Sequence, residues 1–221
     1  MNPLGKVKIK WSPNFAYAIG LIATDGNLSS NGRCIVFTSK DLEMINNFLK
    51  CLSVSSKISM KARSNEKEKK YYYVQIGDIN FYKFLNSIGL TPAKSKTIGI
   101  INIPDKYFFD FLRGHFDGDG TSYSYWDKRW KSSFMFYTEF ISASKKHIDW
   151  LRGEISKKIG INGHITKSKN NSVYQLKYAK RESTKLISRM YYGKKVVCLS
   201  RKIEKIKKAL AINKVEDAQV L

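Results

Sequence analysis

One nine-residue stretch occurs twice in the chain. The first copy reads Ala18-Ile19-Gly20-Leu21-Ile22-Ala23-Thr24-Asp25-Gly26, the second Leu112-Arg113-Gly114-His115-Phe116-Asp117-Gly118-Asp119-Gly120. Each reads as an apolar helical segment with a small residue inside it, closed by an Asp-Gly pair. Asp25 and Asp119 stand 94 positions apart in a chain of 221 residues. A repeat of that length predicts two similar halves, 1–104 and 105–221, sharing a symmetric centre.

The elements around the two copies recur in the same order. Ser12-Pro13 is a helix opening, a capping hydroxyl followed by a proline where no N–H is needed. The helix is predicted to reach about Thr24, with Phe15, Ile19 and Ile22 on one stripe and Ala16, Gly20 and Ala23 on a small-residue stripe beside it. Gly26 is the expected stop. A strand at 34–38, a helix at 41–52, strands at 58–63 and 71–76 and a helix capped by Asp78 follow. Gly89 to Pro104 reads as the connector between halves. The second half repeats the series: a helix opened by Pro104-Asp105, strands at 121–126 and 134–141, and a helix at 145–159. A hairpin of 163–168 and 173–178 and a helix at 182–191 complete it. A last amphipathic helix, about 200–211, stands outside the repeat. The expected class is α+β, with each half running α-β-β-α-β-β-α.

The charge is large and spread through the chain. There are 40 Lys and Arg against 18 Asp and Glu, a net +22. Residues 1–108 hold 16 basic and 7 acidic side chains, and residues 109–221 hold 24 and 11. A basic tail would concentrate the excess, so the charge belongs to a folded body that attracts polyanions, nucleic acid first. No long apolar span is visible, which argues against a membrane protein. The first residues have lysines but no apolar signal region, so no secretory signal is expected. Cys34, Cys51 and Cys198 lack disulfide-framework or zinc-ligand spacing, as in an intracellular, reducing compartment. The abundance of Lys, Ile, Asn and Tyr fits an organelle, a bacterium or an archaeon alike.

The chemistry follows from pairing the two motifs. Asp117-x-Asp119-Gly120 is no calcium loop, because its sixth position is Ser122 and its twelfth Lys128. His115, His147 and His164 show no metal-nuclease spacing. Helices with glycine on the contact face, Gly20 and Gly114, can approach backbone to backbone. Packed side by side, they would bring Asp25 and Asp119 together at their C-terminal ends. Two carboxylates there oppose each other and the helix dipoles. A divalent cation relieves the conflict, and hard oxygen donors favour magnesium.

At these residues the chain resembles the LAGLIDADG homing endonucleases in their single-chain, two-motif form. Motif two is close to the family text. Motif one is looser, with Ala23 and Thr24 before its final acid. The resemblance covers about Pro13 to Lys208. It implies a monomeric saddle of two antiparallel sheets in the major groove of double-stranded DNA, with the motif helices packed at the domain interface. It implies a site-specific endonuclease that breaks both strands and acts in intron homing. Asp25 and Asp119 would hold Mg2+, with Mn2+ or Ca2+ able to replace it for binding, and the carbonyls of Thr24 and Gly118 as further ligands. The family uses basic residues around the site, which here points to Lys94 and Lys202. Strand and hairpin candidates for DNA contact are Arg33, Lys40, Arg63, Gln75, Arg129, Lys167, Gln175 and Lys177. The alternatives are an intron RNA maturase and a cleavage-inactive DNA-binding protein of the same fold.

Overall fold

The computed structural model describes residues 5–62, 68, 70–130, 133–168, 172–193 and 195–219, with side chains to 212. Contacts divide the chain into two compact units, 1–118 and 119–221.

The first unit contains α1 (Pro13–Asp25), β1 (Gly26–Leu28), β2 (Cys34–Ser39), α2 (Leu42–Leu52), β3 (Ser59–Lys61), β4 (Tyr71–Gly77), α3 (Ile79–Ser87) and nearly all of α4 (Phe108–Asp119). Ser12 caps α1 by accepting from Phe15 N at 3.1 Å, an arrangement that stabilises by about 1 kcal/mol. Asp78 caps α3 through Phe81 N at 2.9 Å and accepts a second bond from Val7 N at 2.8 Å. Gly89 closes the connection after α3 at φ +105°, a conformation glycine adopts without penalty. Gly26 has φ −80° and opens β1 directly, so α1 ends by passing into a strand and not on a left-handed cap. β1 is the one strand of the repeat that the sequence left unplaced.

The strands form an antiparallel sheet in the order β1-β2-β4-β3. Its inner face carries Ile35, Phe37, Val74 and Ile76, all buried, against Ile45, Phe48 and Leu52 of α2. Phe37 and Phe48 stack at 4.3 Å between ring centres. Burying side chains of this size stabilises by about 1.5–3 kcal/mol each. α1 departs from its predicted two stripes: every residue from Phe15 to Ala23 is buried, as for a helix apolar all round. Burial pushes the Cys51 thiol, on α2, up to about 12.

The second unit repeats the plan with β5 (Thr121–Trp126), β6 (Phe134–Ser142), α5 (Lys145–Ile159), β7 (His164–Lys167), β8 (Tyr174–Tyr178) and α6 (Lys180–Met190). The sheet order is β5-β6-β8-β7, the counterpart of the first. Phe134, Phe136, Phe140 and Leu176 fill its inner face. α5 is capped by Ser144 and ends at Gly160, φ +63°. α7 (Ser200–Gln219), the helix outside the repeat, packs on β5 and β6 and extends past its predicted end. No helix among the described residues is long and apolar enough to cross a membrane.

Candidate functional site

In the first unit the two motif helices meet backbone to backbone. A Cβ on Gly20 would fall onto the Phe111 carbonyl oxygen, and one on Gly114 onto the Tyr17 carbonyl oxygen. Only glycine lets helices come so close. One turn further on, a Cβ on Gly118 would strike Thr24 Oγ1 and lie 2.8 Å from Asp25 Oδ2. The acid of motif one therefore sits against the bare backbone of motif two. Thr24 Oγ1 donates to the Leu21 carbonyl at 3.0 Å and to Asp25 Oδ2 at 3.2 Å.

Polar groups of motif two that looked incidental in the sequence hold this helix pair. Tyr17 donates its hydroxyl to Asp117 Oδ2 at 2.7 Å, wholly inside the protein. Arg113 pairs with Asp110 at 2.8 Å one turn away, both buried, and lies over the Tyr17 ring. Breaking such a pair by removing one partner strands a buried charge, at about 3–5 kcal/mol. Nothing in the spacing of Asp110, Arg113 and Asp117 distinguished a structural network from ligands.

Each motif acid is followed by a glycine whose carbonyl receives a buried lysine. In the first unit Lys94 Nζ donates to the Gly26 carbonyl. In the second, Lys202 Nζ donates to the Gly120 carbonyl at 2.7 Å. The lysines are only 6 % and 9 % exposed. They reach equivalent carbonyls from unrelated elements. Lys94 opens a short 3-10 turn, Lys94–Lys96, behind Ala93, whose φ of +52° is unusual for a residue with a side chain and costs about 1 kcal/mol. Lys202 lies in the first turn of α7, its N–H bonded to the Leu199 carbonyl at 3.0 Å. Asp25 is half-buried and Asp119 exposed.

Among the described residues no three His, Cys, Asp or Glu side chains gather as a metal cage. The donors at each motif end are a carboxylate and backbone carbonyls, all hard oxygens. Magnesium is commonly held by one or two carboxylates plus phosphate oxygens from the substrate, so this donor set fits such an ion.

The predicted nucleic-acid contacts fall on the outer sheet faces, on loops and at strand ends. Gln75 is exposed on β4, cross-strand from Val36 on β2. Arg33 lies just before β2 and Lys40 just after it, both exposed, and Lys40 sits over the Tyr71 ring. Arg63 lies outside the described residues. Gln175 and Lys177 lie on the same outward face of β8 and are half-buried. Lys177 stands over the rings of Tyr123 and Tyr137 at 5.5 and 5.7 Å. A hydrogen bond to Tyr123 chiefly raises its pKa. Thr166 donates to Gln175 Oε1 at 3.2 Å. Lys167 is exposed but pairs with Tyr174, so it belongs to the face opposite Gln175. Arg129 occupies the β5–β6 loop. Its bonds to Asp127 hold that carboxyl below the usual range, so part of its charge is already engaged.

Sequence reasoning passed over Glu139, on β6 between Thr121 and Lys177. It is 6 % exposed, and its Oε1 has no hydrogen-bond partner among the described residues. Burial raises its pKa, and the charge of Lys177 works against that rise. The signal was present: a lone acid in the apolar run Phe134–Ile141.

Residues 12–89 match the family described as the LAGLIDADG-like domain. No curated protein matches the chain by sequence. Several solved structures match it in shape. The I-LtrWI LAGLIDADG homing endonuclease bound to target DNA is 12% identical, over 93% of this chain and 92% of that one, with a TM-score of 0.62. I-DmoI in complex with DNA and Mn is 17% identical, over 82% and 97%, with a TM-score of 0.52. The N-terminal LAGLIDADG domain of DUF199/WhiA is 17% identical, over 90% and 88%, with a TM-score of 0.55. At such identities the likeness is one of fold.

Proposed function

The chain carries a LAGLIDADG-like domain and the LAGLIDADG fold, and on that premise we propose that it is a site-specific, metal-dependent DNA endonuclease acting as a monomer. One observation carries the reading: in each unit a buried lysine is bonded to the carbonyl directly after the motif acid. Buried ammonium groups are expensive and are rarely kept without a task. Here both lie one peptide from a carboxylate, on a protein of net charge +22.

The proposed roles follow from the positions. Asp25 and Asp119 would supply carboxylate oxygens to a divalent cation, Mg2+ or Mn2+, with the carbonyls of Thr24 and Gly118 as the further donors. Such an ion supplies a water of lowered pKa and positive charge for the leaving oxygen. Lys94 and Lys202 fix the peptide after each acid, so the carboxylate keeps its direction. Their charge favours a phosphate close to that peptide. The exposed and half-buried basic residues of the sheets and loops bind the DNA backbone, and strand side chains read bases. A duplicated chain supplies internally the symmetry that a one-motif protein would obtain by dimerising. Fold alone does not decide cleavage; the residues at the motif ends do.

The test is cleavage of a pool of randomised duplexes in Mg2+ or Mn2+, with sequencing of the cut ends. Wild type should yield ends sharing one long sequence. Asp25→Asn and Asp119→Asn should cut that sequence roughly a thousandfold more slowly and bind it about as well. Binding without cutting in either metal would remove the nuclease reading and leave the DNA-binding or RNA-maturase one.

A further inference from the structure

The two motif helices are related by a shift of 94 positions, and their backbone contact keeps that symmetry. A Cβ on Gly20 would meet the Phe111 carbonyl oxygen, and one on Gly114 the Tyr17 carbonyl oxygen. Gly114 is the counterpart of Gly20, and Phe111 that of Tyr17. The side chains around this contact are not symmetric. Tyr17, on α1, donates its hydroxyl to Asp117 Oδ2, on α4, at 2.7 Å, and both residues are wholly buried. At the mirrored places stand Phe111 on α4 and Ala23 on α1, neither of which has a polar side chain. Arg113, over the Tyr17 ring and paired with Asp110, likewise has apolar counterparts, Ile19 and Ala16. The hydroxyl–carboxylate bond therefore exists once, with its donor on α1 and its acceptor on α4.

A buried polar pair contributes little net stability over an apolar pair of the same shape, but separating its members is costly. Its effect is therefore one of discrimination. A two-fold backbone contact accepts like helices as readily as unlike ones. Pairing α1 with α4 sets the Tyr17 hydroxyl opposite the Asp117 carboxylate. Pairing α4 with the α4 of another copy would set Asp117 against Phe111 twice, and each carboxylate would lose its tyrosine donor. Pairing α1 with the α1 of another copy would set the Tyr17 hydroxyl against Ala23 twice. Both like pairings strand buried polar groups, and the unlike pairing does not. A single buried polar residue fixes partner choice between coiled-coil helices by the same penalty on the wrong partner.

We propose that the bond from Tyr17 to Asp117 is a pairing lock, which selects α1 with α4 of the same chain and rejects association of like halves from two chains. The inference rests on the reading of the chain as a monomer and supplies a cause for it. It does not depend on cleavage or on DNA.

The experiment is sedimentation of the full chain, refolded from urea over a rising series of concentrations so that halves can exchange. High concentrations are needed because the covalent connection itself favours pairing within a chain. Tyr17→Phe with Phe111→Tyr moves the donor from α1 to α4. The bond is then lost within the chain, while the α4 helices of two copies can make it twice. This variant should reach twice the wild-type mass as concentration rises, where wild type stays monomeric. Adding Ala23→Asp and Asp117→Ala mirrors the lock, with its donor on α4 and its acceptor on α1, and should restore the monomer. A donor-transfer variant that folds and stays monomeric throughout, or a mirrored variant that still doubles its mass, would overturn the inference and leave the monomer reading intact. If the donor-transfer variant does not fold, the mirrored one decides. A folded monomer melting like wild type supports the lock, and failure to fold overturns it. A wild type that is itself a dimer would overturn the monomer reading and the lock with it.

Discussion

The two units share the end of their motif helix and differ on the face of their sheet. Behind each acid stands the same glycine carbonyl with the same buried ammonium, although one lysine comes from a 3-10 turn and the other from a helix. The sheet faces have diverged. The first carries Asn27, Val36 and Gln75 in one row, the second Thr121, Glu139 and Lys177, beside a stacked group of Tyr123, Tyr125 and Tyr137. On the proposed endonuclease reading, one geometry would be needed twice at the motif ends, whereas nothing would hold the two sheet faces alike.

That comparison can be broken at its constant part first. Gly114→Leu would force the motif helices apart at the Tyr17 carbonyl. It should lower stability by about 3 kcal/mol or more, since overpacking against backbone relaxes poorly. Urea denaturation measures it, and an unchanged midpoint would show that the helices do not depend on this approach. Lys94→Met and Lys202→Met come next. Each removes a charged donor from a buried carbonyl, at about 1–3 kcal/mol. If the arrangements are equivalent, the two losses should agree within about 0.5 kcal/mol; a large loss in one unit alone would end the equivalence.

Gly153→Ala sharpens the contrast between glycines. Gly153 lies inside α5 with nothing within 4 Å of a Cβ. Alanine there should stabilise by about 0.5–1 kcal/mol, visible as a higher melting temperature, where Gly20 and Gly114 tolerate no addition. Glu139→Gln should give the smallest change. Burial raises the Glu139 pKa in the fold, so the folded state binds this proton more tightly than the unfolded state. The stabilisation from that shift is present at low pH and is lost as pH rises through the folded value. At pH 7 the carboxylate is therefore a burden and the glutamine variant should be slightly more stable. The advantage should fade as pH falls through the carboxylate range, and a pH series of denaturation curves checks it. A constant difference would mean that Glu139 is not the group responsible.

Local pattern by itself determined a great deal. The duplicated Gly…Asp-Gly stretch announced two halves, because only a helix with a bare face and an acidic end needs that text. Apolar period separated α5 at 145–159 and the strands at 34–38, 71–76 and 121–126 from their neighbours with errors of a residue or none. Ser12, Asp78 and Pro13 marked helix starts, since capping is chemistry between residues close in sequence. Only tertiary structure decided what the long-range groups do. Tyr17 reaches Asp117 across 100 positions and Lys202 reaches Gly120 across 82, and no periodicity carries such pairings. The same holds for β1, three residues long and stable only against β2, and for the outward row holding Glu139. A register shift of one residue moves every side chain of a strand to the other face. That choice is made by the core and the neighbouring strand together, and a single strand's sequence does not contain it.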